Sequence, residues 1–194
     1  MIKTNDVIDF FDNLAPQWDA DMVRSDEVIA KVLDNAAVTA GKNVLDVACG
    51  TGVLIPDYLE RGVSSVTAID ISPKMAEIAR EKYPQPAVSV LCGDVETEAF
   101  GRTFDCIVVY NAFPHFPDPR RLVRRLADLL APGGVLTVAH GSSRETIDAH
   151  HLGCAQHVSN GLMPAADLAE IFAEVLEVTT VIEDDRMYQV AGKK

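Results

Sequence analysis

The stretch Val44-Leu-Asp-Val-Ala-Cys-Gly-Thr-Gly-Val53 decides the fold. A short apolar run breaks into glycines and is followed at once by a helical pattern. That layout sets a strand, a tight turn and a helix N-terminus in succession. Gly50 and Gly52 lack a Cβ, so a ligand can approach the backbone and the chain can take positive φ. The next apolar run, Ser65-Val-Thr-Ala-Ile-Asp70, ends on a carboxylate. An acid about 20 residues beyond a glycine loop, at the tip of the neighbouring strand, is placed to bond a ribose hydroxyl pair. These residues outline a nucleoside pocket.

The pocket does not fit the dinucleotide fingerprint, whose third glycine falls at Ile55 here. The turn also lacks a Lys or Arg to meet a phosphate. The spacing Asp46-x-Ala48-x-Gly50-x-Gly52 instead resembles the first motif of the class I S-adenosylmethionine (SAM) methyltransferases, in the small type 11-like form. The resemblance continues in order through Asp70-Ile-Ser-Pro-Lys-Met75, Cys92-Gly-Asp94, Phe104-Asp-Cys-Ile-Val-Val-Tyr-Asn111 and Leu130-Ala-Pro-Gly-Gly-Val-Leu136. Ala48 stands where the family's first glycine belongs and costs some room beside the cofactor.

The rest of the chain supports that layout. From Val44 onward, apolar strands alternate with helical segments. Ser72-Pro73 and Asp118-Pro119 open two of the helices as N-cap and first-turn proline. Ser142-x-x-Glu145 matches a capping box. A helix is expected from Val53 to Arg61 and a strand from Val135 to Ala139 after Pro132-Gly133-Gly134. Two final strands, Val175 to Glu183 and Met187 to Ala191, are joined by a turn too short for anything but an antiparallel pair. The expected fold class is α/β: a three-layer, Rossmann-like, mostly parallel seven-stranded sheet with one antiparallel strand from a C-terminal hairpin. Residues 1–194 read as one domain. The first 40 residues form a helical lid of two helices separated by Pro16, with Trp18 in a loop. Residues 140–163 supply material for an acceptor-side cap.

The chain has 194 residues, a hydrophobic fraction of 48% and a net charge of −12. Such an acidic balance argues against DNA and anionic membranes, which need clustered Lys and Arg. The opening Met1–Asp6 has no apolar h-region, and no apolar run reaches the length of a membrane span, so a cytoplasmic setting is expected. Cys49, Cys92, Cys106 and Cys154 are far apart and read as reduced thiols, with Cys92 and Cys106 packed in or beside strands.

The resemblance implies SAM as methyl donor and S-adenosylhomocysteine (SAH) as product. It gives Asp46 a role at the cofactor's methionine end, the alternative being a carboxylate that only holds the turn. Asp70 becomes the ribose ligand, since Ser72 already fills the helix cap. Ile71 and Met75 wall the adenine, although Met75 also falls in register for the core. Asp94 accepts from the adenine amino group and Val95 offers its N–H, the alternative being a surface turn. Ala48, Gly50 and Gly52 form the cofactor loop. Tyr110 and Asn111, past the fourth strand, border the sulfonium. Read from the residues alone, Phe10, Phe11 and above all Trp18 are expected to close over the cofactor as a lid, the alternative being that they only anchor the first helix.

His115 and His140 are the candidate bases, at the ends of the fourth and fifth strands on one rim. Each could equally be a neutral wall residue. On a continuous helix His150, Cys154 and His157 would share one face and could ligate a metal, but Gly153 is expected to end the helix first. Arg120, Arg121, Arg124 and Arg125 read as a solvated helix face. The acidic charge and the limited cap point to a small-molecule acceptor. The alternatives are a protein or RNA substrate, a non-catalytic SAM or SAH-binding module, and an NAD-dependent oxidoreductase.

Replacing Asp70 with Ala should weaken SAM binding at least tenfold in calorimetric titration. A charged hydrogen bond is worth ~1.5–3 kcal/mol, and the ribose would lose one. Unchanged affinity in a folded variant would remove Asp70 from the site.

Overall fold

A computed structural model describes residues 2–194, apart from the side chain of Cys154. The helices are α1 (Thr4–Leu14), α2 (Trp18–Asp21), α3 (Asp26–Asn35), α4 (Ile55–Glu60), α5 (Pro73–Lys82), α6 (Pro119–Leu129), α7 (Arg144–Cys154) and α8 (Ala165–Ala173). The strands are β1 (Asn43–Val47), β2 (Ser65–Asp70), β3 (Val88–Cys92), β4 (Phe104–Tyr110), β5 (Leu130–His140), β6 (Glu177–Glu183) and β7 (Tyr188–Lys193). Short 3-10 turns lie at Ala15–Gln17, Phe113–His115 and Gln156–Val158.

The strands form one sheet in the order β3-β2-β1-β4-β5-β7-β6. All run parallel except β7, which opposes both β5 and β6. The expected α/β class and the reversed hairpin strand are both present. Strand alternation divides the core between the two faces. Leu45, Val47, Ile107 and Val109 pack under α6 and α8, against Leu122, Leu126, Leu168 and Phe172. Val44, Cys106 and Val108 pack on the other face with Val32, Leu33, Tyr58 and Ala79 from α3, α4 and α5. Both faces are covered, which is why these strands are almost continuously apolar.

Helix starts follow the local chemistry. Ser72 Oγ accepts from Met75 N and Asp118 Oδ1 from Arg121 N, each capping a helix with proline in its first turn. The cap of α7 is Ser143, whose Oγ accepts from Thr146 N. The expected box at Ser142 is therefore displaced by one residue. Pro16 ends α1 in a 3-10 turn, and Trp18 begins a short helix instead of lying in a loop. Helix α4 starts at Ile55, later than expected, because residues 51–54 remain in the turn. Strand β5 begins at Leu130. A register shift carries Pro132-Gly133-Gly134 between the Phe104–Leu130 and Cys106–Val135 pairings. Cys92, at the end of an edge strand, is exposed and not packed as expected.

The order of strands reverses between β1 and β4, because the chain builds outward from β1 to β3 and then returns to the other side. Ligand clefts in open α/β sheets lie beyond the strand ends at that reversal. The loop after β1 occupies this point, and its Ala48 has φ of 53°. Left-handed backbone is strained for a residue with a Cβ and free for glycine. Ala48→Gly should therefore raise stability by ~0.5–1 kcal/mol in urea melts. A loss of stability would show that the Ala48 methyl makes compensating contacts.

Candidate functional site

A cavity of about 230 Å³ opens beyond the ends of β1, β2 and β4. Its walls include the loop Ala48–Gly50, the corner Asp70–Ile71 with Met75, the turn Gly93–Glu96, the corner Tyr110–Ala112, and the aromatic side chains Phe11 and Trp18.

Asp70 organises one wall of the cavity. It is 7% exposed. Its Oδ2 accepts from Gly50 N and its Oδ1 from Ser72 N, both at 2.8 Å. Each carboxylate oxygen has two lone pairs, so one on each oxygen remains for a ligand donor. Burial pushes this carboxyl up to about 6, against the pull of the Ser72 and Gly50 amides. Gly50 reaches this bond with φ of 56°, which is why a glycine stands there.

Gly52 serves a different purpose from the expected one. It does not line the cavity. A Cβ on it would lie 2.6 Å from Tyr83 and 2.8 Å from Ile55, so this glycine admits the Tyr83 ring behind the loop. Asp46 is also off the cavity wall. It is buried beneath the loop, where Tyr58 Oη donates to its Oδ1 at 3.3 Å and Oδ2 has no hydrogen-bond partner among the described residues. Burial raises it to about 7, the Tyr58 bond opposing and Asp70 adding to the rise. Ile71 and Met75 both line the cavity, and Met75 is also core, so the two readings of its register coincide.

Asp94 and Val95 are on the wall, and Asp94 Oδ1 accepts from Glu96 N in a local Asx turn. Arg121 holds Glu96 through two bonds, at 2.6 and 3.0 Å, while Arg125 Nε donates to Val95 O. The arginine face of α6 thus does more than meet solvent: it fastens the turn behind the cavity. Tyr110 and Asn111 both border the cavity. Asn111 has φ of 55°, and its Oδ1 accepts from Gly141 N.

The N-terminal helices lie over this floor. Asp12 Oδ1 accepts from Ser72 Oγ and Lys74 N, and Asp19 accepts from Thr51 Oγ1 and Lys82 Nζ. Trp18, Phe11 and His115 follow one another in edge-to-face contact, with centroids 5.8 and 4.9 Å apart. Phe10 turns away to His157. Arg24, unremarked in the sequence, lines the mouth. Its guanidinium donates to Val53 O and pairs with Asp26 and Asp57, both at 2.6 Å. No local pattern signals it, because only the fold brings residue 24 to residues 53–57.

The two candidate bases part company. His115 lines the cavity, and its Nδ1 lies 2.8 Å from Val158 O. A carbonyl only accepts, so Nδ1 carries the proton and Nε2 has the free lone pair. Burial lowers this imidazole to about 4, so it is neutral at physiological pH. His140 is not on the rim. It is 0% exposed, lies edge-to-face with Tyr188, and has no hydrogen-bond partner at either nitrogen among the described residues. Inward alternation at the end of β5 turns it into the core instead of the cleft. The His150, Cys154 and His157 face is not formed either. Helix α7 runs through Gly153, contrary to expectation, but ends at Cys154, and His157 falls in the 3-10 turn beyond it. The Cys154 side chain lies outside the described residues. Among the described residues no cluster of His, Cys, Asp and Glu is arranged to hold a metal ion.

This geometry matches known proteins. The family model described as "Methyltransferase domain" matches residues 45–138. Over that segment, just under half of its length, the chain is similar to the class I SAM-dependent methyltransferases. A ubiquinone biosynthesis O-methyltransferase of Xanthomonas campestris pv. campestris is 35% identical over 145 residues, covering 66% of this chain and 58% of that protein. One from Coxiella burnetii is 32% identical over 109 residues, covering 55% of this chain and 46% of that protein. The chain thus spans about half the length of these curated relatives. In fold it is similar to the N-methyltransferase NodS of Bradyrhizobium japonicum WM9 in complex with SAH. There the TM-score is 0.74 at 19% identity, over 98% of each chain. The methyltransferase from a Haloferax volcanii complex with the Trm112 activator gives a TM-score of 0.71 at 20% identity, over 94% of this chain and 96% of that one.

Two buried carboxyls with raised values set a pH dependence. Folding lifts Asp70 and Asp46 from 3.8 to about 6 and about 7. Each therefore holds its proton more firmly when folded. Their contribution to the stability of the free protein is greatest at low pH and is lost as pH climbs from 3.8 through these values. A ligand that donates to Asp70 needs the ionised form. SAM affinity measured by calorimetry should weaken roughly tenfold from pH 7.5 to pH 5, as Asp70 gains its proton. A flat profile would mean that the ligand does not reach Asp70.

Proposed function

We propose that this chain is a SAM-dependent methyltransferase that acts on a small, uncharged molecule at a hydroxyl oxygen. The observation that carries the reading is the Asp70 carboxylate, held by two backbone amides with acceptor capacity left over at the base of the cavity. Asp70 would take the ribose hydroxyl pair. Ile71 and Met75 would flank the adenine, and Asp94 with the Val95 N–H would meet its edge. Arg24 at the mouth would meet the cofactor's carboxylate, and buried Asp46 would favour its cationic end through the loop. The bound cofactor supplies a methyl group already activated on a sulfonium sulfur.

The protein's remaining work is to align the acceptor, exclude water and take a proton. His115 is suited to the last task. Its tautomer is set by Val158 O, and it is neutral at physiological pH, so Nε2 is ready to accept. Phe11 packs on the same ring and limits water access. We read residues 1–40 as the lid and 140–163 as the acceptor-side cap, since the first brings Phe11 and Trp18 to the cavity and the second brings Val158 to His115. The names of the curated relatives support oxygen as the accepting atom and a small molecule as its bearer. Among the described residues no helix is long and apolar enough to cross a membrane.

Transfer from isotopically labelled SAM should be tested against catechol, phenol, aniline and benzoate. Label should pass to the hydroxyl compounds. Tight SAM binding with label moving only to protein or RNA, or to nothing, would overturn the reading. In the same assay His115→Ala should lower kcat by ~10²-fold or more, the usual scale of general-base loss, with SAM affinity nearly unchanged. Equal losses in both would make His115 part of the cofactor wall.

A further inference from the structure

Next to His115 stands a second imidazole that the reading above leaves unused. His151, on α7, has its ring centroid 5.0 Å from that of His115, with the planes tilted by 55°. It is half-buried and does not line the cavity, so it lies between the cavity wall and solvent. Its Nδ1 is 2.8 Å from Ser159 Oγ, which also accepts from Gly161 N at 3.1 Å. A serine hydroxyl donates and accepts, so Ser159 holds the ring in either tautomer.

A base in the position of His115 has to dispose of what it takes. Nδ1 is committed to Val158 O, and Phe11 covers the ring from the lid side. The other ionisable groups facing this pair are His140, on which both rings act, and His150 and Asp148, which act on His151. His140 is sealed in the core, while burial and His150 hold His151 below the ordinary imidazole value and Asp148 opposes them. Charge on His115 is disfavoured by burial and by His151 itself, so a proton gained there is short-lived. Ring centroids 5.0 Å apart bring the two imidazoles side by side, and a direct contact or one bridging water would join their free nitrogens.

We propose that His151 is the proton exit of the methyl-transfer site, taking the acceptor's proton from His115 Nε2 and releasing it to bulk water, with Ser159 holding its ring. The inference rests on His115 acting as the base. The balance is simple. The acceptor O–H bond breaks as the methyl–oxygen bond forms and the methyl–sulfur bond breaks. The proton passes to His115 Nε2, then to His151, then to solvent, and nothing is oxidised or reduced. His151 acts through His115 and is a relay residue, not one that touches substrate.

The test uses the full chain with labelled SAM and catechol as the probe acceptor. His151→Phe keeps a ring but cannot carry a proton. Its kcat should fall at least about tenfold while SAM affinity by calorimetry stays within about twofold. Free imidazole in the buffer should restore turnover to His151→Ala, which a merely structural role would not allow. Imidazole NMR titration supplies a readout apart from activity: the His151 curve should move in His115→Gln. If His151→Phe does not fold, Ser159→Ala and His151→Gln carry the same comparison, with intermediate and full loss expected. Unchanged kcat and pH profile in folded His151 variants, beside a large loss in His115→Ala, would overturn the relay alone. No loss in His115→Ala would instead remove the base reading beneath it.

Discussion

The carboxylate of Asp70 ties the structure together. It sits at the end of β2 and accepts one amide from the loop after β1 and one from the first turn of α5. Two adjacent strand ends and a helix start are thereby held at one point. The bond demands a left-handed Gly50 and a capped α5, and the sequence provides both. Holding a carboxylate there is costly, since burial raises its proton affinity. The two amides recover part of that cost, and the remaining lone pairs leave the group receptive to a donor or to nearby positive charge. A structural knot and the proposed ligand group are therefore one feature.

The N-terminal helices depend on the same corner. Ser72 Oγ caps α5 by accepting from Met75 N and donates to Asp12 on α1. Asp19 reaches Thr51, within the glycine turn, and Lys82 at the far end of α5. The aromatic row Trp18, Phe11 and His115 then crosses the cavity from the N-terminal helices to the turn after β4. The glycine loop, the N-terminal helices and the His115 wall are in contact, so a change at one is felt at the others through named bonds. The acidic side chains of the N-terminal segment are tethers in this arrangement, not only a source of net charge.

The fold was legible because its signals are local. Apolar runs cut by glycine, caps such as Ser72 and Asp118 before proline, and a short acidic turn between two final strands determine element types and the reversed β7. The place of Asp70 on the cavity wall was legible for the same reason: it is found at a strand end. What could not be read depends on distant neighbours. Gly52 looks like a ligand glycine until Tyr83 is seen against it. His140 looks like a rim residue until the alternation of an eleven-residue β5 turns it inward against Tyr188. Arg24 has no pattern around it, and its role arises from Asp57 and Val53. The one-residue displacement of the α7 cap to Ser143 reflects two adjacent serines with equal local claims.

A crystal structure of the chain with SAH tests the central claim most directly. The account predicts both ribose hydroxyls within hydrogen-bond distance of the Asp70 carboxylate, with the Gly50 and Ser72 amide bonds intact. An adenosine bound elsewhere, or an Asp70 turned away from the ribose with its two amide bonds unchanged, would contradict it.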